Sequence, residues 1–190
     1  MVKYVQRRFD SDYNETIGVQ FLEKELNAAG TKVIMSLWDL GGAKQFTSML
    51  PMVCVDSVAM LFLFDLTREG TLDSVREWYR QVRALNQTCL PFLVGTKFDE
   101  FYESSDDTHK AKMIKKARKF SKAMKAPLAF VSSSHGINVS KLFKLVFFRV
   151  LDVPCTISEK TDDSEPILEY VKVSAASETA EPKEAGGAAE

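Results

Sequence analysis

The sequence predicts an α/β protein: a three-layer, doubly wound, mostly parallel sheet with helices on both faces. Three observations carry that expectation. Nearly continuous apolar runs recur as SVAMLFLFDL (57–66), PFLVGTK (91–97) and PLAFVSS (127–133), the pattern of strands covered on both faces. Patterns of helical period lie between and after them, over 71–87, 108–125 and 137–151. Strands alternating with helix-length crossovers run parallel, because a tight turn cannot return the chain to the same end of a sheet.

Taken in order, MVKYVQRRFD (1–10) sets Val2, Val5 and the stem of Arg8 at helical spacing and reads as the back half of a helix. Residues 11–18 are polar and turn-rich. VQFLEKEL (19–26) alternates two faces as an edge strand does, and Ala29-Gly30 can turn it back into TKVIMSLW (31–38) as a hairpin. The run 57–66 is expected to be buried on both faces. The helix over 71–87 presents Leu72, Val75, Trp78, Tyr79, Val82 and Leu85 as one stripe, with charged residues elsewhere. The helix over 108–125 does so with Met113, Ile114, Ala117, Phe120 and Met124, and that over 137–151 with Val139, Leu142, Phe143, Val146 and Val150. Trp38 and Trp78 read as core or half-buried packing.

From Ile157 onward the composition changes: nine acidic and three basic residues stand among the last 34, with Ala, Gly, Ser and Thr filling the end. Such a segment buries too little apolar surface to offset its ordering entropy, so 153–190 is expected to be a mostly disordered acidic tail behind a domain of residues 1–152. The exception is EPILEYVKV (165–173), apolar enough to dock on this domain or on a partner.

Bulk properties narrow the function classes. A chain of 190 residues, 45% hydrophobic and 27% charged, suits one soluble domain. Net charge of −1 gives no bulk attraction to nucleic acid. The basic run over 110–125, eight Lys or Arg, lacks interleaved exposed aromatics and reads as a solvated helix face. Cys54, Cys89 and Cys155 have no metal-type spacing and read as reduced thiols. No membrane-length apolar run, signal peptide or C-terminal prenylation cysteine occurs, so a cytoplasmic monomer without a lipid anchor is expected.

In doubly wound sheets ligands bind at the carboxyl ends of the strands. Those ends read DLGG (39–42), GTKFD (95–99) and SSS (132–134), and the polar segment before the first full strand holds Thr16 in ETIGV. Singly, each is an ordinary turn or loop. Their order and intervals are harder to dismiss: 23 residues from Thr16 to Asp39, 58 from Asp39 to Lys97 and 34 from Asp99 to Ser133.

With those residues in place, the pattern resembles a Ras-type small GTPase over roughly residues 1–152. TIGV, WDLGG, GTKFD and SSSHGINV resemble the switch threonine, the Asp-x-x-Gly switch, the guanine-reading motif and the Ser-Ala-Lys-like loop. WDLGG, FTSMLPMVCVDSVAMLFLFDL, TLDSVREWYRQVR and GTKFDEF are similar to the septum-promoting and mitotic-exit GTPases of fungi and related eukaryotes. The resemblance implies GTP or GDP and Mg²⁺ as ligands. It implies that Asp99 accepts from the guanine ring N–H and exocyclic amine, and that Lys97 lays its stem along the base. Thr96 stands where most relatives carry Asn, and Ser132, Ser133 and Ser134 would line the base, the Ser134 N–H meeting the guanine carbonyl. Thr16 would ligate Mg²⁺ and sense the γ-phosphate, Asp39 would hold the metal through water, and the Gly42 N–H would meet the γ-phosphate.

The sequence departs from the family twice. Ala43 occupies the place of the Gln that orients the attacking water, and Gln45 is two residues out of direction. No G-x-x-x-x-G-K-[ST] phosphate loop occurs in the 190 residues, and MVKYVQ matches a point inside the family's first helix. In that family the first strand lies between the strands 31–38 and 57–66. Leaving it out would strand buried backbone groups at roughly 1–3 kcal/mol each against a stability of about 5–15 kcal/mol, so a domain is not expected to begin at Met1.

The resemblance also implies partners: a downstream protein kinase and a GTPase-activating complex, met through 11–18 and 39–52, in cytokinesis signalling at the spindle pole. The competing expectation is a non-enzymatic interaction protein: a pseudo-GTPase, or a fragment that keeps the switch surface but cannot bind phosphate. Intact TKFD and Thr16 favour the switch; Ala43 and the absent loop favour the interaction protein.

Overall fold

The computed structural model describes residues 1–12, 14–28 and 31–170. In chain order the elements are α1 (Val2–Gln6), β1 (Val19–Ala28), β2 (Thr31–Leu40), a 3₁₀ segment (Lys44–Met49), α2 (Leu50–Cys54) and β3 (Ala59–Asp65). There follow α3 (Glu69–Leu85), β4 (Leu90–Thr96), α4 (Phe98–Ser104), α5 (Asp107–Met124), β5 (Leu128–Phe130), α6 (Val139–Val150) and β6 (Leu168–Glu169). Among the described residues no helix is long and apolar enough to cross a membrane.

The strands form two sheets. One is the β1–β2 antiparallel hairpin, in register from Val19 opposite Leu40 to Ala28 opposite Thr31; the turn expected at 29–30 lies outside the described residues. The other runs β3-β4-β5-β6, parallel across its first three strands, with β6 antiparallel at the edge. Alternation along β4 sends Phe92 and Val94 toward Leu142, Phe143 and Val146 of α6, while Leu93 joins Leu72 and Val75 of α3 and Met113 and Ile114 of α5. Helices on both faces of a mostly parallel sheet are the architecture expected from the sequence.

Two-sided burial holds for β4 but not for β3, where Leu63 is 60% exposed. The cause is the outer edge of β3, which pairs with no described strand. A trough of about 700 Å³ separates it from β2, walled by Ser36, Leu37 and Asp39 on one side and Met60, Leu61 and Leu63 on the other. That is where the resemblance puts the family's first strand.

Other details differ from the periodicity. The helix α1 stops at Gln6 because Arg7 takes a left-handed conformation (φ 58°), which leaves Arg8 outside it. It attaches through Tyr4, whose ring stacks on Phe143 at 4.0 Å. Trp38 is the half-buried case rather than core: 50% exposed, it packs on Phe21, its cross-strand partner, at 4.8 Å. Leu85 closes α3 and is exposed. The short helix α4 was not legible as an element, although Phe98 and Phe101, one turn apart, anchor it in the core.

The described part of the segment after 153 packs on the domain. Residues 155–170 form a strap that closes the β5 edge. Ile167 and Leu168 are fully buried and Tyr170 nearly so. The Phe130 N–H donates to the Ile167 carbonyl at 2.8 Å, and Lys160 and Leu168 exchange backbone bonds of 3.0 and 2.9 Å. The Tyr170 hydroxyl donates to the Ile157 carbonyl. Three large apolar side chains with an open strand edge outweigh the acidic composition around them. Residues 165–170 of the stretch 165–173 belong to this strap, and residues 171–173 lie outside the described residues.

Leu168→Ala is expected to cost about 2–5 kcal/mol of stability, as for other fully buried leucines, and urea unfolding checks this.

Candidate functional site

The carboxyl ends of β2, β3, β4 and β5 gather the polar residues of the site. At the end of β4 the chain leaves the sheet through Lys97 in a left-handed conformation (φ 59°), which turns it into α4 and sets Asp99 in that helix's first turn. The Lys97 ammonium lies 3.2 Å from Oδ2 of Asp65, the residue that ends β3. That contact anchors the tip of Lys97 and directs its stem.

Asp65 is 5% exposed. It accepts from the Thr67 N–H at 2.9 Å, the Thr67 hydroxyl at 2.6 Å and Arg68 Nε at 2.9 Å. Burial pushes its pKa up, but Thr67, Arg68 and Lys97 together bring it below the ordinary carboxylate value. Sequence reasoning missed Asp65. Its signal was a single acid closing the apolar run FLFDL.

The loop after β5 meets Asp99 from the other side. The Ser134 hydroxyl donates to Asp99 Oδ2 at 2.7 Å and lies 2.9 Å from the hydroxyl of Ser132, which is fully buried. His135 Nδ1 stands 3.2 Å from the same carboxylate oxygen, and the His135 N–H donates to Ser132 Oγ at 3.1 Å. The Ser132 N–H closes the loop on the Ile137 carbonyl at 3.1 Å, and the Asn138 amide donates to the Phe130 carbonyl at 3.1 Å. Burial raises the Asp99 pKa, but the Ser134 and Ser132 hydroxyls, a backbone N–H and His135 together hold it below its usual value. His135 thus touches the candidate base acceptor.

Among the described residues neither Ser133 nor Thr96 hydrogen-bonds to Asp99. Ser133 is exposed. The Thr96 hydroxyl donates to the Phe64 carbonyl at 2.9 Å, which ties β4 to β3. Lys3 of α1 donates to the Ser134 carbonyl at 3.4 Å, a contact across 131 residues that local sequence cannot show.

The second half of the site joins Thr16 and Asp39, the hydroxyl donating to Asp39 Oδ2 at 3.1 Å. Their segments cross where the Gly41 N–H donates to the Gly18 carbonyl at 2.9 Å. A Cβ on Gly41 would fall 2.2 Å from the Thr16 carbonyl, so the crossing requires glycine there. Sequence reading had singled out Gly42, which has open space around it. Ala43 begins the 3₁₀ segment by accepting from the Phe46 N–H at 2.9 Å, and Gln45 is exposed on it.

Thr16, Asp39, Gly42 and Ala43 line one end of the trough. Among the described residues no hydrogen bond or ion pair joins this half to the Asp99 half.

The residues fit the implied ligands unequally. A carboxylate held ionised and oriented by hydroxyls, beside a lysine stem, fits guanine. Thr16 and Asp39 offer hard oxygens suited to Mg²⁺, but among the described residues no group of three or more His, Cys, Asp or Glu could hold a metal. The ion would therefore need phosphate oxygens and water for most of its coordination.

The Ras family model matches residues 1–152. Septum-promoting GTP-binding protein 1 of Schizosaccharomyces pombe is 50% identical over 171 residues, 90% of this chain and 86% of that protein. Human Ras-related protein Rab-36 is 30% identical over 76% of this chain and 53% of its own length. Human Ras-related protein Rab-21 is 30% identical over 52% of this chain and 44% of its own.

The depressed pKa of Asp99 sets a pH dependence. Its contribution to stability is complete above the unfolded carboxylate value, about pH 4, and is lost as pH falls through the lower folded value. Asp99→Asn is expected to remove that part of the acid limb, as read by urea unfolding from neutral pH downward. Gly41→Ala is expected to separate the Thr16 and Asp39 segments, raising amide exchange over 16–19 and 39–42 while leaving α5 unchanged.

Proposed function

The chain belongs to the Ras family, and on that footing we propose that it is a guanine-nucleotide-dependent switch in septation signalling. The observation that carries this reading is Asp99, an anionic acceptor held by Ser134 and flanked by the Lys97 stem. Guanine presents a ring N–H and an exocyclic amine side by side, and both can donate to one carboxylate. Adenine presents a ring acceptor at that place, which the carboxylate repels. Buried Ser132 keeps the reading loop in shape, and Asp65 fixes the lysine that covers the base.

On the phosphate side, Thr16 and Asp39 would hold Mg²⁺, whose charge offsets that of the phosphate oxygens. The Gly41–Gly18 crossing couples the two segments, so ordering one orders the other. The surface they present supports partner docking over 11–18 and 39–52. Ile17 is 82% exposed and Met52 59%, apolar area that water alone does not favour. A downstream protein kinase and a GTPase-activating complex, with the spindle pole as the place of action, complete the proposal. The name of the fission-yeast relative supports the septation role.

A second reading, an interaction protein that does not turn nucleotide over, is favoured by Ala43. Its methyl group can neither donate to nor accept from an attacking water. Intrinsic turnover is therefore expected to be negligible, and Ala43→Gln is expected to raise it in a nucleotide-loaded chain. Absence of any rise would sink this account of Ala43.

Fluorescent-nucleotide titration tests the guanine reading. The chain should prefer guanosine to adenosine diphosphate, and Asp99→Asn should weaken guanine binding about 100-fold while gaining affinity for xanthine, which offers a carbonyl in place of the amine. Equal binding of the two diphosphates would overturn the reading.

A further inference from the structure

Eight Lys or Arg residues stand between 110 and 125: four pair with acids, three follow one another along one face of α5, and the eighth, Lys125, takes the left-handed turn that ends the helix. Lys110 faces Asp107 at 3.9 Å, Lys112 and Lys116 share Glu69 at 2.9 and 3.0 Å, and Lys116 also meets Asp73 at 2.7 Å. Arg118 is compensated twice, by Glu169 at 2.8 Å and Asp163 at 2.7 Å. Lys115, Lys119 and Lys122 have no acidic partner among the described residues. They follow one another at i, i+4 and i+7, so they share a face of α5, and their like charges repel. With Arg118 and Asp163 they line a concavity of about 410 Å³. The solvated face expected from the sequence is thus a cationic hollow with three uncompensated charges.

The strap carries a threonine that touches one of the hollow's lining residues. Arg118 Nη2 donates to the Thr161 carbonyl at 2.7 Å, which brings that residue to the hollow's own arginine. Thr161 is exposed, and its hydroxyl makes no hydrogen bond among the described residues. The Ser164 hydroxyl, by contrast, is engaged by Asp162 at 2.8 Å. Asp162, Asp163 and Glu165 follow Thr161, an acidic context suited to a kinase with a basic substrate groove.

We propose that Thr161 is a phosphorylation site and that its phosphoryl group is taken up by Lys115, Lys119 and Lys122, fastening the strap to α5. In the modification the Thr161 hydroxyl oxygen attacks the γ-phosphorus of a nucleoside triphosphate bound to an acidophilic protein kinase. The new O–P bond forms as the bond to the β,γ-bridging oxygen breaks. Nucleoside diphosphate leaves, and the hydroxyl proton passes to the kinase's base. The dianion then finds ammonium donors already in place. The consequence reaches the base-reading loop, because the Asn138 amide donates both to Phe130 of β5 and to the Pro166 carbonyl of the strap, at 3.1 and 2.9 Å.

The test is to treat the full chain with an acidophilic kinase and ATP, locate the phosphate by mass spectrometry and follow amide hydrogen exchange at Leu168, whose N–H is bonded to the strap's own Lys160. Thr161 should be modified, and Leu168 should exchange about tenfold more slowly. The double variant Lys119→Ala, Lys122→Ala should lose that gain, yet without phosphate should leave exchange unchanged or slower, since it relieves repulsion. Phosphate found only at Ser158 or Ser164, or at Thr161 with no slowing, would overturn the proposal. So would binding to phosphatidylserine vesicles that the double variant abolishes and Thr161 phosphorylation does not alter, which would assign the hollow to an anionic membrane.

Discussion

The structure hangs on β4, a parallel strand sealed on both faces. Phe92 and Val94 face α6 while Leu93 faces α3 and α5, so every backbone group of the strand must find its partner in a neighbouring strand. That requirement brings β3 and β5 alongside in parallel, and parallel strands release their loops at the same end. Asp65, Lys97, Asp99 and Ser132 come together for that reason, although they are spread over 68 positions of the chain. The site is a by-product of how the core satisfies its backbone.

Burial and ionisation oppose one another at that end of the sheet. Asp65 and Asp99 both sit where low dielectric favours the neutral acid, and in both the balance is reversed by donors aimed at the carboxylate. Asp65 relies on Thr67, Arg68 and Lys97, and Asp99 on serines of the loop after β5. Two of these donors are themselves held in place, Lys97 by its left-handed turn and Ser132 by full burial. A charge held ionised in this manner is rigid, and a rigid acceptor can tell one base edge from another.

The two halves of the site differ in how they are built. The base half is tied into the parallel sheet by side-chain bonds on several elements. The Thr16–Asp39 half rests on the hairpin and on one glycine crossing, and it faces the trough. Fewer contacts hold that half, which accords with segments that must reorder when a ligand changes. Behind the sheet, the strap adds β6 to the last open edge and connects the basic face of α5 to the base-reading loop through Asn138.

Local pattern carried much of this in the sequence. Period and apolar runs predicted helices over 71–87, 108–125 and 137–151, which the fold forms at 69–85, 107–124 and 139–150. They placed Asp39, Lys97, Asp99 and the serines at or just past strand ends, with Thr16 in the polar segment before the first full strand. A side chain's period depends on near neighbours alone, so it is written in the chain. Tertiary structure decided the partners. It turned Thr96 toward Phe64, drew His135 and Ser134 onto Asp99, recruited Asp65 and left Leu63 and Trp38 exposed. It also folded an acidic strap onto an apolar edge. Each of these outcomes depends on a group tens of residues away competing for one hydrogen bond or one patch of surface, and such competition is settled only when the chain is packed.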